Sequence, residues 1–202
     1  MIIHKELNQS QFLKISERVF KQHFIIYPMK KRVKEKKISG KKVKWKVLIW
    51  SLIVVFLIAG IGSYFNAGES TGEYYLSIKP NLTPPGIIFA VVWNFLFVLV
   101  AYAIYFDWIK SENSSKNRNK VVLLFLVNLA LNILWTFLFF VVKNPLFAFF
   151  DIILLLVSIV WIFIFNWKFE RKSSYLVIPY FIWVVFAMYL NWVSYLKWVN
   201  LF

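Results

Sequence analysis

The stretch YYLSIKPNLTPPGIIFAVVWNFLF, Tyr74–Phe97, sets Lys79 and three prolines, Pro80, Pro84 and Pro85, directly ahead of a run apolar enough to enter a membrane. Proline fixes φ and has no N–H to give, so the first half reads as a stiff connection. The second half reads as a helix with Thr83 as N-cap and prolines in its first turn. Nothing in it alternates with the period of two that a membrane strand needs. Lipid offers the backbone no hydrogen-bond partner, so such a run must be helical.

Working outward, the chain holds five such runs, at roughly 47–66, 85–108, 120–142, 145–167 and 174–198. Each is long enough to cross about 30 Å at 1.5 Å per residue. Of its 202 residues, 60% are hydrophobic and 21% aromatic, more apolar surface than a water-soluble domain of this size can hide. The expected fold is all-α, an integral membrane bundle of five transmembrane helices over residues 47–202, preceded by a basic N-terminal extension over residues 1–46. The first run is too long for the apolar core of a signal peptide, which reads it as a retained anchor.

The net charge of +15 is concentrated in that extension, where 14 Lys/Arg face three acids. A basic segment beside a first span reads as a topology signal and a contact for anionic lipid, in preference to a nucleic-acid tail. With the N-terminus inside, the inner flanks carry 17 Lys/Arg and the outer flanks only Lys79, Lys143 and Lys197. The expected arrangement is a multi-pass protein with a cytoplasmic N-terminus, the C-terminus outside, and loop 67–84 outside. Residues 7–27 space Leu7, Phe12, Ile15, Val19 and Phe20 as an interfacial helix would. An extension with little order, or a start at Met29, reads equally well. The Lys- and Asn-rich, Ala-poor composition points to an AT-rich bacterial genome and a plasma membrane.

Composition also excludes chemistry. There is no cysteine, and both histidines, His4 and His23, precede the first run. Zinc, iron–sulfur and His-ligated haem sites are therefore not expected, and no metal or cofactor is assigned. No nucleophile–base pair, carboxylate pair or phosphate loop is visible. No ladder of ionisable residues crosses the membrane, which speaks against a proton-coupled pump.

Polar groups inside lipid are costly, so their positions carry information. Trp93 and Asn94 lie about 12–15 Å into the second run. Asn128, Asn132, Trp135 and Thr136 share one face of the third. Asp151 lies under two turns into the fourth, which opens at Asn144-Pro145, and either belongs to a pocket or pairs with Lys143. Trp183, Ala187 and Asn191 follow at i, i+4 and i+8 in the fifth. All are biased to the outer half, beneath loop 67–84. They predict a cavity roofed by that loop, with aromatic walls and Lys79 at its rim, suited to a flat apolar ligand. Singly, each Asn also reads as a helix–helix bond and each Trp as an interface marker.

Tyr75, Leu76, Lys79-Pro80, Thr83-Pro84-Pro85, Phe89 and Trp93 resemble the signature of the translocator protein family, whose bacterial members are called tryptophan-rich sensory proteins. The likeness continues in Asn132, Trp135 and Phe139-Phe140, and in Pro179-Tyr180, Trp183, Phe186-Ala187 and Leu190-Asn191, covering residues 47–199. It departs at Tyr74, Leu82 and Ile87, where the family often has Trp, and at Phe97, where Tyr is common. The resemblance implies a five-helix homodimer that binds porphyrins and similar flat molecules, acting as a receptor or sensor, with transport of lipophiles as the alternative. It implies Tyr75, Lys79, Pro84, Trp93, Asn132, Trp135, Trp183 and Ala187 as ligand contacts. Some bacterial relatives degrade protoporphyrin IX in light, which would make Trp93 and Trp183 the candidate catalytic pair. Leu190, Tyr195 and Lys197 fit the family's sterol-recognition pattern, which equally describes an aromatic-plus-cation anchor at a helix end.

Overall fold

A computed structural model describes residues 43–201, together with Lys14 and Glu17. The expected interfacial helix at 7–27 and the Met29 start lie outside the described residues, apart from Lys14 and Glu17, both helical and exposed. From Lys44 onward the chain forms one compact unit.

Six α-helices build this unit: α1 Trp45–Asn66, α2 Glu73–Ile78, α3 Gly86–Lys110, α4 Ser115–Thr136, α5 Pro145–Phe169 and α6 Arg171–Val199. A 3-10 turn, Glu69–Thr71, precedes α2, and α4 continues as a π-helix over Phe137–Val141. Five of the helices are long and apolar enough to cross a membrane, and the expected all-α bundle is what forms. The bundle has an α2 end, with the connections 67–85 and 142–144, and a Glu170 end, with the connections 111–114 and 170.

Capping explains several boundaries. Asn144 Oδ1 accepts from the amides of Leu146 and Phe147 at 3.1 and 3.0 Å, and Pro145 follows as the first helical residue. Ser114 Oγ accepts from the Asn117 amide and starts α4 five residues before the apolar run suggests. Glu170 alone separates α5 from α6 and caps the latter through the Lys172 amide. The expected Thr83 cap does not form. Pro84 and Pro85 hold the chain extended there, and α3 begins at Gly86 with the Pro85 carbonyl taking the first two amides. Loop 67–84 is itself largely helical, because Gly68, at φ 82°, turns the chain in the left-handed region that glycine favours and releases it into two short helices.

The core runs along the bundle axis through Val55, Leu96, Val100, Phe125, Ile152, Leu155, Ile159, Val177 and Val184. Helix α5 packs most extensively on α6, and α1 is carried mainly by α3 and α4. Ala101, Ala103 and Ala148 are fully buried; side chains this small let helix backbones approach where no hydrophobic effect drives them together. Outside the core the helices present Leu, Ile, Val, Phe and Trp outward, as a lipid-facing surface requires.

Candidate functional site

The sequence-predicted residues come together at the α2 end as two aromatic clusters. In the first, on α3 and α6, Phe89 joins the two tryptophans: its ring lies 6.4 Å from Trp93 and 5.4 Å from Trp183. Trp93 also meets Phe97 at 5.5 Å and Tyr180, edge-on, at 6.2 Å, and Trp183 meets Phe186 at 5.4 Å. In the second, Trp135 of α4 stacks on Phe139 at 5.4 Å and 24°. Tyr75 of α2 closes over Phe139 and Phe140 at 6.3 and 5.7 Å. Buried Ile78 fixes α2 onto the same patch.

The π-helix makes the second cluster possible. The Val142 amide reaches back to the Phe137 carbonyl and the Asn144 amide to Leu138, widening the last turns of α4. Phe139 and Phe140 are thereby both buried, although they are consecutive. Lys143, at φ 57°, then reverses the chain into α5. A left-handed lysine is strained, and its side chain is held from two sides: the ammonium lies 3.2 Å from the Glu69 carboxylate and 5.6 Å above the Tyr74 ring.

Two hydrogen bonds tie the clusters to one another. Asn132 Nδ2 donates to the Tyr180 hydroxyl at 3.3 Å. Trp135 Nε1 donates to Asn191 Oδ1 at 2.9 Å, and Asn191 Nδ2 donates to the Pro145 carbonyl at 2.8 Å, so one side chain joins α4, α5 and α6. Lower down, Asn128 Nδ2 donates to Ser158 Oγ at 2.8 Å. Thus the α4 polar stripe is used for helix–helix bonding. Ala187 is buried one turn beyond Trp183, on the same face of α6.

Some predicted residues fall elsewhere or do something different. Asn94 is exposed and bonds back to the Ala90 carbonyl, so it faces away from Trp93's partners. Lys143 pairs with Glu69, seventy-four residues earlier in the chain, and leaves both Asp151 oxygens without a hydrogen-bond partner among the described residues, in a side chain only 3% exposed. Lys79 lies 6.0 Å over the Tyr75 ring, and half-buried Pro84 sits in the stretch leading into α3. Lys197 donates to the Lys79 carbonyl at 2.6 Å and so pins the connection to the end of α6. Tyr195 lies in a ladder with Trp192 and Trp198, whereas Leu190 is buried, so the sterol-like pattern is split between two environments.

Electrostatically the α2 end is neutral. Burial raises the Tyr74 phenol, and it raises the Tyr75 phenol against the opposing effect of the Thr83 hydroxyl, so both remain hydrogen-bonding hydroxyls at physiological pH. The Trp183 indole N–H is buried without an acceptor among the described residues. Two depressions lie on the helix surfaces away from these clusters, one of about 380 Å³ beside Phe149, Met188, Tyr189 and Trp192 and one of about 240 Å³ between Ile159 and Phe181. Within the predicted site the rings of each cluster pack on one another. Among the described residues no group of three His, Cys, Asp or Glu side chains is placed to hold a metal.

Phe89, Tyr180 and Asn191 bind the clusters together; the sequence presents all three, but the partner of each is fixed only by packing. A model of the TspO/MBR family matches residues 51–196. The chain is 36% identical over 143 residues to the tryptophan-rich protein TspO of Archaeoglobus fulgidus, covering 70% of this chain and 90% of that one. It is 34% identical over 133 residues to the protein of the same name from Chlorobaculum tepidum, covering 64% and 82%. It is 30% identical over 137 residues to the translocator protein of Ovis aries, covering 65% and 78%.

Proposed function

The chain belongs to the TspO/MBR family of multi-pass integral membrane proteins, and on that premise we propose that it is a membrane receptor for a flat, apolar tetrapyrrole of the porphyrin class. The observation that carries this reading is the pair of aromatic clusters under α2, joined by Asn132–Tyr180 and Trp135–Asn191, with an unpartnered indole N–H at Trp183. Aromatic walls with few, fixed polar groups suit a ligand that is planar and mostly apolar with a polar edge. Tyr75, Lys79, Pro84, Trp93, Asn132, Trp135, Trp183 and Ala187 are its contacts. Trp135 stacks on Phe139 and Tyr75 meets Phe139 edge-on, so binding exchanges ring–ring contacts for ring–ligand contacts and requires α2 to lift.

The same reading places Trp93 and Trp183 beside the bound macrocycle, where a photo-excited porphyrin would meet two oxidisable indoles. The orientation proposed has the α2 end outside and the N-terminus in the cytoplasm of a bacterium, from the charge asymmetry of the flanks. It comes with a homodimeric state and with anionic lipid held at the basic N-terminal segment.

Tryptophan-fluorescence quenching by protoporphyrin IX, in the dark on purified protein, tests it. Saturable quenching that is lost in Tyr75→Ala and Trp183→Ala is expected. Quenching that rises without saturation, or is unchanged in both variants, rejects the site. Blue-light bleaching that persists unchanged in Trp93→Phe/Trp183→Phe rejects the photochemical role alone.

A further inference from the structure

The Glu170 end holds a second polar site that the family reading does not use. Asp107, in the last turn of α3, is fully buried. Its Oδ2 accepts from Ser173 Oγ of α6 at 3.0 Å. The same Ser173 oxygen lies 3.1 Å from the Ala103 carbonyl and accepts from Asn166 Nδ2 of α5 at 3.0 Å. Asn166 and Ser173 are also fully buried. Two oxygens of this knot, Asp107 Oδ1 and Asn166 Oδ1, have no hydrogen-bond partner among the described residues.

The hydrogen-bond count does not close. Ser173 has one hydroxyl proton and two acceptors in reach, Asp107 Oδ2 and the Ala103 carbonyl. Asn166 supplies amide protons, to Ser173 Oγ and toward the Asp107 carboxylate, but its own oxygen is unmet among the described residues. The cluster is thus short of positive partners, not of acceptors. Charge does not close either. Among the described residues no Lys or Arg pairs with Asp107. Three cations of this end have other partners: Lys44 pairs with Glu112, Lys172 lies over the Phe106 ring, and Arg171 over the Trp167 ring. Glu170, at the start of α6, adds a further negative charge to the field at Asp107. An isolated buried carboxylate is too costly to stand alone.

We propose that Asp107, Asn166 and Ser173, with the Ala103 carbonyl, form a binding site for a hard monovalent cation, Na⁺, that ties α3, α5 and α6 together at this end. The donor set is all oxygen, which suits a hard ion and not zinc or copper. One carboxylate balances one positive charge. Ca²⁺ calls for six to eight oxygens and more carboxylates, and Mg²⁺ for a shell of retained waters in place of an all-protein donor set.

The test uses the purified full chain in detergent, with thermal unfolding followed in NaCl or in choline chloride at equal ionic strength and pH. The expected result is a saturable rise in Tm of about 3–6 °C in Na⁺ over choline, from linkage to an ion bound only by the folded state. Asp107→Asn keeps the shape and removes the charge. It should lose the Na⁺ response and, in choline, melt no lower than the parent. Asn166→Leu, which deletes a ligand while leaving the carboxylate, should weaken the half-saturating Na⁺ concentration at least tenfold. Equal Tm values in Na⁺ and choline for the parent chain overturn the proposal. So does a Na⁺ response that survives Asp107→Asn. A parent chain whose stability follows pH but not the cation shows that a proton on Asp107 fills the gap instead, and also overturns it. Porphyrin quenching plays no part in this readout, so the two readings fail separately.

Discussion

The two ends of the bundle solve opposite problems. At the α2 end the side chains are mostly rings, which are cheap to place in lipid and can part from one another at small cost. Of the polar groups there, Asn132, Trp135 and Asn191 are paired across helices, while Trp183 Nε1 and both Asp151 oxygens are unmet among the described residues. At the Glu170 end Asp107, Asn166, Ser173, Ser174 and Ser111 are packed with no exposure at all, and the surplus is of acceptors. The first end is built to exchange partners. The second is built to hold three helices in one arrangement.

The strongest way to break this contrast is Asn191→Leu. It strands the Trp135 indole and removes the bond to the Pro145 carbonyl, and each buried unmet group costs about 1–3 kcal/mol. A loss of about 2–4 kcal/mol in denaturant unfolding is expected, with porphyrin quenching weakened and any response to Na⁺ kept. A variant as stable as the parent would mean the α2 end is not joined through this residue.

Ser173→Ala probes the other end. It leaves Asp107 Oδ2 and Asn166 Nδ2 without their partner and should cost about 1–3 kcal/mol. Quenching by protoporphyrin IX should be unaltered, and a change there would show that the ends are coupled. The mid-depth bond between Asn128 and Ser158 comes next. A double-mutant cycle to Ala should return a coupling of about 0.6 kcal/mol, as such bonds do inside membranes. Glu69→Gln should move stability least, by about 0.5 kcal/mol or less, because its ion pair with Lys143 is exposed. Its effect belongs in kinetics: with α2 less firmly held, protoporphyrin dissociation should quicken, and added salt should quicken the parent chain's dissociation toward the variant's rate. A salt-independent off-rate in the parent chain would detach this ion pair from ligand release.

Much of the α2 end was legible in the residues themselves. Trp93, Trp135, Trp183 and Asn191 stand out because polar and indole groups are rare and costly in an apolar run, and their helical spacing puts them on shared faces. Asn144-Pro145 announces α5 for the same local reason. What was not legible was partnership. Lys143 is eight residues from Asp151 and seventy-four from Glu69, yet it pairs with Glu69 because the π-turn and a left-handed residue aim it at the loop. Asp107 attracts little notice beside Trp108 and Lys110, where a charge at a helix end looks like an interface residue. Only its burial against α5 and α6 makes it unusual.

By itself, then, the sequence determined that this chain lives in a membrane, crosses it as five helices and belongs with the TspO/MBR proteins. Apolar length and backbone hydrogen bonding are local properties, and they act on each segment alone. The tertiary structure decided which rings face each other, which asparagine joins which helices, and which carboxylate is left without a cation. Those depend on the rotation and depth of each helix against its neighbours, set by small buried residues such as Ala101, Ala103 and Ala148 and by a single widened turn in α4.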